Sequence, residues 1–220
     1  MTELPPGQRK IEGFPRFGTH LHHPPPVIPP DATLDVTGAI APLTLRLSEL
    51  DSLPRVERVA DFHCVSGWTA TGLRWEGVAF ATFYRTLIEP RLAPAVRVTH
   101  VGFRGWDAYR SVVLLADALA EDVLLATRLD GQPLTPAHGA PLRLVSPGQY
   151  GFVSTKHLRT IEVHTRRPRE EHPFTVVTRS HPRARVWREE RHAWFPAAAV
   201  RPLYRSLIRP IARLSARGIR

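Results

Sequence analysis

The sequence predicts a mixed α+β domain, rich in short strands and followed by a basic helical tail. Three observations carry this expectation. Apolar and polar residues alternate in several short runs, the period of a half-buried strand. Only three short segments of the body suit a helix. Proline, at 22 of 220 residues, is about twice its usual share of ~5%, so long helices are few and ordered loops many.

Residues 1–32 are rich in Pro, Gly and His and are expected to wrap the surface as irregular chain. Leu34 and Val36 alternate with polar neighbours up to Gly38, a strand and its turn. Leu43, Leu45 and Leu47 repeat the alternation; Ser48 then offers an N-cap for a short helix that Pro54 stops. Val56 to His63 reads as a strand delivering Cys64 at its end. Phe80, Phe83, Tyr84, Leu87 and Ile88 lie at helical spacing, closed by Pro90. Val96 to Val101 reads as extended and Leu114 to Ala120 as a helix. Val123 to Leu129 is a strand into an Asp130-Gly131 turn. Leu142 to Val145 and Thr160 to Val163 complete the body, with a Pro147-Gly148 turn between them. The body is thus read as residues 33–163 and the extension as 164–220.

The extension holds the charge. Residues 1–163 contain sixteen basic and sixteen acidic side chains, whereas residues 164–220 contain fourteen arginines and four glutamates, the whole of the +10 excess. Pro202 fits the first turn of a helix. Leu203, Leu207, Ile211 and Leu214 then form an apolar stripe, Arg201, Arg205, Arg209, Arg213 and Arg217 a basic one, and Pro210 is expected to kink the helix. A neutral body with a basic appendage and no base-reading motif is not expected to bind nucleic acid. The tail at residues 200–220 suits an acidic protein or an anionic membrane surface. No apolar run approaches the ~20 residues of a membrane span, and no leader pattern opens the chain. The expected location is cytoplasmic, at the inner membrane face if the tail meets lipid.

Cysteine count narrows the chemistry. The one cysteine excludes an intramolecular disulfide, a multi-cysteine zinc site and a cysteine-ligated iron–sulfur cluster. Cys64 stands where a β-branched, aromatic strand ends and Ser66-Gly67 turn the chain, a place where side chains face clefts. Its sulfur is a soft ligand suited to a transition metal. A second constellation runs HGAPLRLVSPGQYG from His138, followed by Ser154, Thr155 and Lys156. Its glycines permit close backbone approach. Arg143 offers a planar fork for phosphate and Lys156 a point charge.

Together these segments resemble the molybdopterin domain of the sulfite oxidase family. The likeness is closest to the bacterial branch that includes the methionine sulfoxide reductase catalytic subunit. HCVSGW at 63–68, the W-x-G-V of Trp75 to Val78, and the His138 segment occur in the family's order over residues 33–163. The resemblance implies the sulfite oxidase-type fold and one molybdenum held by the dithiolene of a single pyranopterin and by Cys64. It implies cofactor contacts at Thr99, His138, Arg143, Ser154, Thr155 and Lys156. It also implies them at an N-terminal histidine, His20 or His22, with His23 nearby. Arg104 and Tyr109, after the Thr99 strand, are the candidates to act with Cys64 in catalysis by setting substrate choice at the cleft mouth.

The implied function is oxygen-atom transfer to or from a small S- or N-oxide type substrate, with a separate electron-transfer partner. Val65, Ser66 and Gly67 follow Cys64 where sulfite oxidases use arginines, which disfavours sulfite itself. Two other readings compete. One is a non-catalytic relative that binds an acidic partner or a membrane through the tail. The other is a hydrolase with Cys64 as nucleophile and His63 or His138 as base, which needs a thiol–imidazole pair within hydrogen-bond reach.

Overall fold

The structure is a computed structural model, and it describes residues 3–18, 23–168 and 183–217. His20 and His22 lie outside the described residues. Two sheets make the body. The first has six strands: β1 (Arg9–Ile11), β4 (Arg55–His63), β5 (Trp68–Ala79), β8 (Leu124–Leu129), β9 (Gln132–Pro133) and β10 (Arg143–Val145). The second has five, in the order β3 (Leu43–Arg46), β2 (Thr33–Gly38), β11 (Leu158–His164), β6 (His100–Gly105) and β7 (Arg110–Leu114). β2 and β11 pair in parallel, and the second sheet is otherwise antiparallel.

β5 organises the first sheet. β4 pairs along most of its length, β1 joins in parallel at Trp68 to Ala70, and β8 pairs from Trp75 to Ala79. The alternation of β8 shows why both faces of this sheet are covered. Leu125 enters a core shared with Leu34, Val36, Phe103 and Ile161 of the second sheet. Leu124 and Ala126 enter a second cluster with Cys64, Trp68 and Trp75. Phe14 and Phe17 of the N-terminal chain and Ile208 of the tail pack against that second cluster. The segments before and after the body therefore both lie over the face that carries Cys64.

Several expectations are corrected. The N-terminal stretch is not wholly irregular, since it supplies β1. Strand β6 begins at His100, because Ala93 to Val96 form a turn. β5 and β7 were not anticipated. The helix expected after Ser48 is a 3-10 turn, Leu47–Ser52, whose Glu49 carboxylate accepts from the Arg46 N–H at 2.7 Å. The predicted apolar helix is α1 (Phe80–Phe83), continuing through a wider turn (Tyr84–Ile88) to Arg91, with Phe80, Phe83, Tyr84 and Ile88 buried. The next is a single turn, α2 (Leu115–Ala118).

The tail forms two helices, α3 (Ala197–Ser206) and α4 (Ile208–Arg217). The break falls at Leu207 rather than at Pro210 itself. Pro210 has no N–H for the Ser206 carbonyl one turn earlier, so the helix yields there. The faces also differ from expectation. Val200 and Ser215 are buried, and Leu203 is 61% exposed. Arg201 and Arg205 turn partly inward, while Arg209, Arg213 and Arg217 stay exposed.

Candidate active-site cleft around Cys64

Cys64 opens the turn between β4 and β5. Its N–H donates to the Trp68 carbonyl at 2.8 Å, and the Gly67 N–H returns to the Cys64 carbonyl at 2.9 Å. Gln8 clamps that carbonyl from the N-terminal chain at 3.1 Å. Gly67 has φ +105°, and a Cβ there would stand 3.1 Å from the Gly7 carbonyl oxygen. The turn thus needs glycine for both conformation and space. The Cys64 sulfur lies 3.0 Å from Ser66 Oγ. Burial pushes the thiol up to about 11, against the hydrogen bond from Ser66 and the nearby Arg191, which favour the thiolate.

One cleft opens beside this sulfur. Tyr109, Arg143, Ser154 and Lys156 line it together with Cys64, so the structure brings five of the predicted residues to one place. Arg143 starts β10 and is fully buried. Its guanidinium sits over the rings of Trp75, Phe62 and Phe14 at 5.0, 5.7 and 5.8 Å. It donates to the backbone carbonyls of His138 at 2.9 Å and Ser154 at 3.3 Å. Burial alone lowers it to about 9. Lys156 donates to the Ala137 carbonyl at 2.9 Å. Burial, then the charges of Arg143 and Arg16, hold it well below the ordinary ammonium range. The charge of Asp107 acts on Lys156 in the opposite sense, and no acidic side chain is among the residues that line the cleft. Gly151 completes the wall: a Cβ there would strike the Phe62 ring at 2.1 Å.

The other predicted residues stand elsewhere. Arg104 does not line the cleft; β6 alternation turns it outward to pair with Glu162 at 3.2 Å. Thr99 is exposed at the entry to β6, where it shares a 2.9 Å hydrogen bond with His100 Nδ1. Thr155 faces inward, bonded to Ser111 Oγ at 2.8 Å, since its neighbours 154 and 156 take the cleft side. His138 stacks on Phe14 at 5.0 Å and 10°, and its Nε2 donates to the Phe14 carbonyl at 2.9 Å. It holds the ring that covers Arg143 instead of lining the cleft itself. Tyr109 does line the cleft, with its hydroxyl donating to the Phe152 carbonyl at 2.5 Å.

The hydrolase reading fails on geometry. His63 Nδ1 lies 2.9 Å from Thr69 Oγ1, and His138 is committed to Phe14 and Thr135. The sulfur's partner is a hydroxyl, and its raised pKa is the reverse of an activated nucleophile.

Sequence reasoning missed residues at the two ends of the chain. Phe14, Phe17, Tyr204, Leu207 and Ile211 also line the cleft. Arg191, fully buried, donates to the Val65 and Pro6 carbonyls and lies over the Tyr150 ring. The available signal was the aromatic and aliphatic content of segments otherwise read as wrap and tail.

The donor set fits a molybdopterin. Two shielded cations in a cleft with no acidic lining suit an organic phosphate, aromatic side chains line the cleft between them and the sulfur, and a soft sulfur suits the metal.

Comparison with known proteins agrees. Residues 20–172 match the family described as oxidoreductase molybdopterin binding domain. An uncharacterized oxidoreductase, YuiH, of Bacillus subtilis is 32% identical over 196 residues, 87% of this chain and 92% of that protein. A putative protein-methionine-sulfoxide reductase subunit, YedZ1, of Azospira oryzae is 30% identical over 74% of the chain. The protein-methionine-sulfoxide reductase catalytic subunit MsrP of Xanthomonas campestris is 34% identical over 53% of it. The chain spans 54% and 39% of the length of those last two. In fold it is similar to the sulfane dehydrogenase SoxCD from Paracoccus pantotrophus, with a TM-score of 0.53 at 21% identity over 68% of this chain and 46% of that one. With its family match, its fold and its cleft in agreement, the chain belongs to the molybdopterin-binding oxidoreductases of the sulfite oxidase family, whose cofactor is molybdenum with molybdopterin.

Proposed function

We propose that this protein transfers an oxygen atom to or from a small neutral S-oxide type substrate, with Cys64 as the protein ligand of molybdenum. One observation carries the reading: the chain's single thiol and two shielded cations, Arg143 and Lys156, open on the same cleft. The chemistry the bound group supplies is two-electron oxygen-atom exchange.

The protein's share is binding, orientation and exclusion of water. Arg143 and Lys156 hold the cofactor's phosphate, repaying the desolvation of two cations with an anion. Ser66 and Arg191 favour the anionic form of the sulfur, the form in which Cys64 would hold the metal. Ser154 Oγ accepts from the Ser146 N–H at 3.1 Å, fixing the loop that closes this side. Phe14, Phe62 and Trp68 shield the cleft from solvent. The sulfoxide reductase names of two relatives support an S-oxide, and the apolar lining at Val65, Trp68, Leu207 and Ile211 suits a neutral one.

Molybdenum analysis of protein purified from a cofactor-producing host tests the proposal. Near-stoichiometric metal is expected, and folded, metal-free protein would end the reading. Cys64→Ser is expected to abolish turnover and change the spectrum of the metal centre, while pterin persists through its phosphate contacts.

A second reading concerns the outside of α3 and α4, where Leu203 and Leu214 are exposed beside Arg209, Arg213 and Arg217. No acidic residue occurs after Glu190. Leucines among arginines without acids suit an anionic membrane surface, where apolar insertion and charge attraction act together. An electron-transfer partner held at that surface would meet the protein beside its cleft. No described helix is long and apolar enough to cross a membrane.

A further inference from the structure

We propose that the C-terminal helices form the substrate-side wall of the cleft, and that Tyr204, Leu207 and Ile211 restrict entry to small organic S-oxides or sulfides. This rests on the reading that Cys64 carries the reacting metal.

The three side chains recur at steps of three and four along α3, the break at Leu207 and α4, so they share one face. All three line the cleft with Cys64. Ile208, between them, packs into the cluster of Cys64 and Trp68. Helix α3 also lies against the Cys64 turn: a Cβ at Gly67 would be 3.6 Å from Arg205 Nε. The tail is therefore next to the Cys64 turn by two contacts, its apolar side chains in the cleft and the Arg205 side chain against Gly67.

Polar anchors fix this wall from outside the cleft. Arg205 donates to the Gly7 carbonyl at 3.3 Å, and Arg201 pairs with Glu189 at 2.5 Å. Ser215 Oγ accepts from the Gly18 N–H and donates to its carbonyl, each at 3.1 Å. Anchors on both helices hold the face between them in a set position, the condition for discrimination by shape.

The wall's chemistry indicates what it admits. Leu207 and Ile211 add to Val65, Phe17 and Trp68, which are apolar. Tyr204 adds one hydroxyl, which burial keeps protonated. A neutral molecule with short apolar arms and one strong acceptor oxygen suits that lining; a sulfoxide has both features. A free amino acid or a sulfate-like anion would bring charge against aliphatic side chains without a partner there.

The test uses the fact that Cys64 is the chain's only cysteine, so thiol labelling of cofactor-free protein reads this cleft alone. The probes are fluorescein maleimide, which is bulky, and iodoacetamide, which is small. The variants are Leu207→Ala and Ile211→Ala, which widen the entrance, and Leu207→Trp and Ile211→Trp, which narrow it. The expected ratio of maleimide rates between wide and narrow variants is about tenfold or more, with iodoacetamide changing less than about threefold, because access governs thiol reaction rates. In loaded enzyme, the Ala variants should lower the ratio of KM for a bulky aryl alkyl sulfoxide to KM for dimethyl sulfoxide, since this wall contributes fit.

Maleimide rates within twofold of the parent in natively folded Ala variants would overturn the wall, and those variants suffice if the Trp variants fail to fold. Molybdenum content separates the two ideas. Flat labelling with normal metal content sinks the wall and leaves the cofactor reading standing. A strong labelling ratio in a protein that never acquires molybdenum sinks the oxide-transfer assignment and leaves the wall as an entrance to Cys64.

Discussion

Arg143 is buried among three rings without a carboxylate, and its depressed pKa records the cost of that position. The folded state disfavours its charge, so the penalty is full at neutral pH. It is relieved only as pH rises above about 9 toward the ordinary arginine range, or when an anion arrives. Inorganic pyrophosphate should therefore stabilise the cofactor-free protein. At a hundredfold excess over its Kd, about 2.7 kcal/mol is expected, a rise of about 5–10 °C in melting temperature for a chain of this size. Arg143→Met should remove most of that rise and most of the retained pterin, and calorimetry with and without pyrophosphate checks it. Cys64 gives the opposite sign. Its thiol is raised to about 11, so the folded state holds the proton through the range where an unfolded cysteine, near 9, loses it. Stability from this group is present below pH 9 and lost between 9 and 11. Alkylation of the cofactor-free protein should keep accelerating up to about pH 11; a plateau near 9 would contradict the burial. Cys64, Arg143, Ser154 and Lys156 were legible because motif and strand ends coincide. Arg104 was not, because the alternation of β6 turns it away from the cleft, and Thr155 was not, because its hydroxyl is taken by Ser111 from a distant strand.

Among elements, those with clean periodicity were legible. The buried alternation of β2 and the apolar spacing of the helix at Phe80 are visible in the sequence because each packs on a single apolar core. β5 was hidden by Gly72, Arg74, Glu76 and Gly77, residues it tolerates because partners lie along both of its edges and a bulge falls at Glu76/Gly77. β7 was hidden by Ser111, buried only because its hydroxyl donates to the Val153 carbonyl. In the tail, the heptad-like apolar stripe was visible but its direction was not. Side chains at Leu203 and Leu214 point outward because cleft and anchors claim the other face. Binding of the intact protein to vesicles rich in phosphatidylserine, measured by co-sedimentation, should weaken at least tenfold on Arg209→Ala/Arg213→Ala/Arg217→Ala, and weaken as salt shortens the Debye length to ~3 Å at 1 M. Binding that is indifferent to charge and salt would exclude the membrane role; binding only to an acidic redox protein would reassign the surface.

At the scale of the whole molecule, the two ends of the chain are tied together over the first sheet. Arg191 makes the tie: its guanidinium reaches the N-terminal chain at Pro6, the Cys64 turn at Val65 and the carboxylate of Glu189. Arg191→Met leaves Glu189 with one cation fewer and removes the donor from two carbonyls, those of Pro6 and Val65. A loss of about 3 kcal/mol is expected from breaking such a pair, a fall of ~6–12 °C in melting temperature. An unchanged melting curve would show the ends to be independent. The body's neutrality and the tail's charge were readable in the composition; that the tail returns to the face carrying Cys64 was not, because long-range contacts leave no periodic trace.

Closing the cleft with segments distant in sequence also makes loading a question of order. Docked through Arg191, Arg205 and Ser215, the stretch from 191 to 217 sets Tyr204, Leu207 and Ile211 across the seat beside Cys64 and Arg143. A pterin offered before that stretch docks would meet a wider doorway than one offered after it.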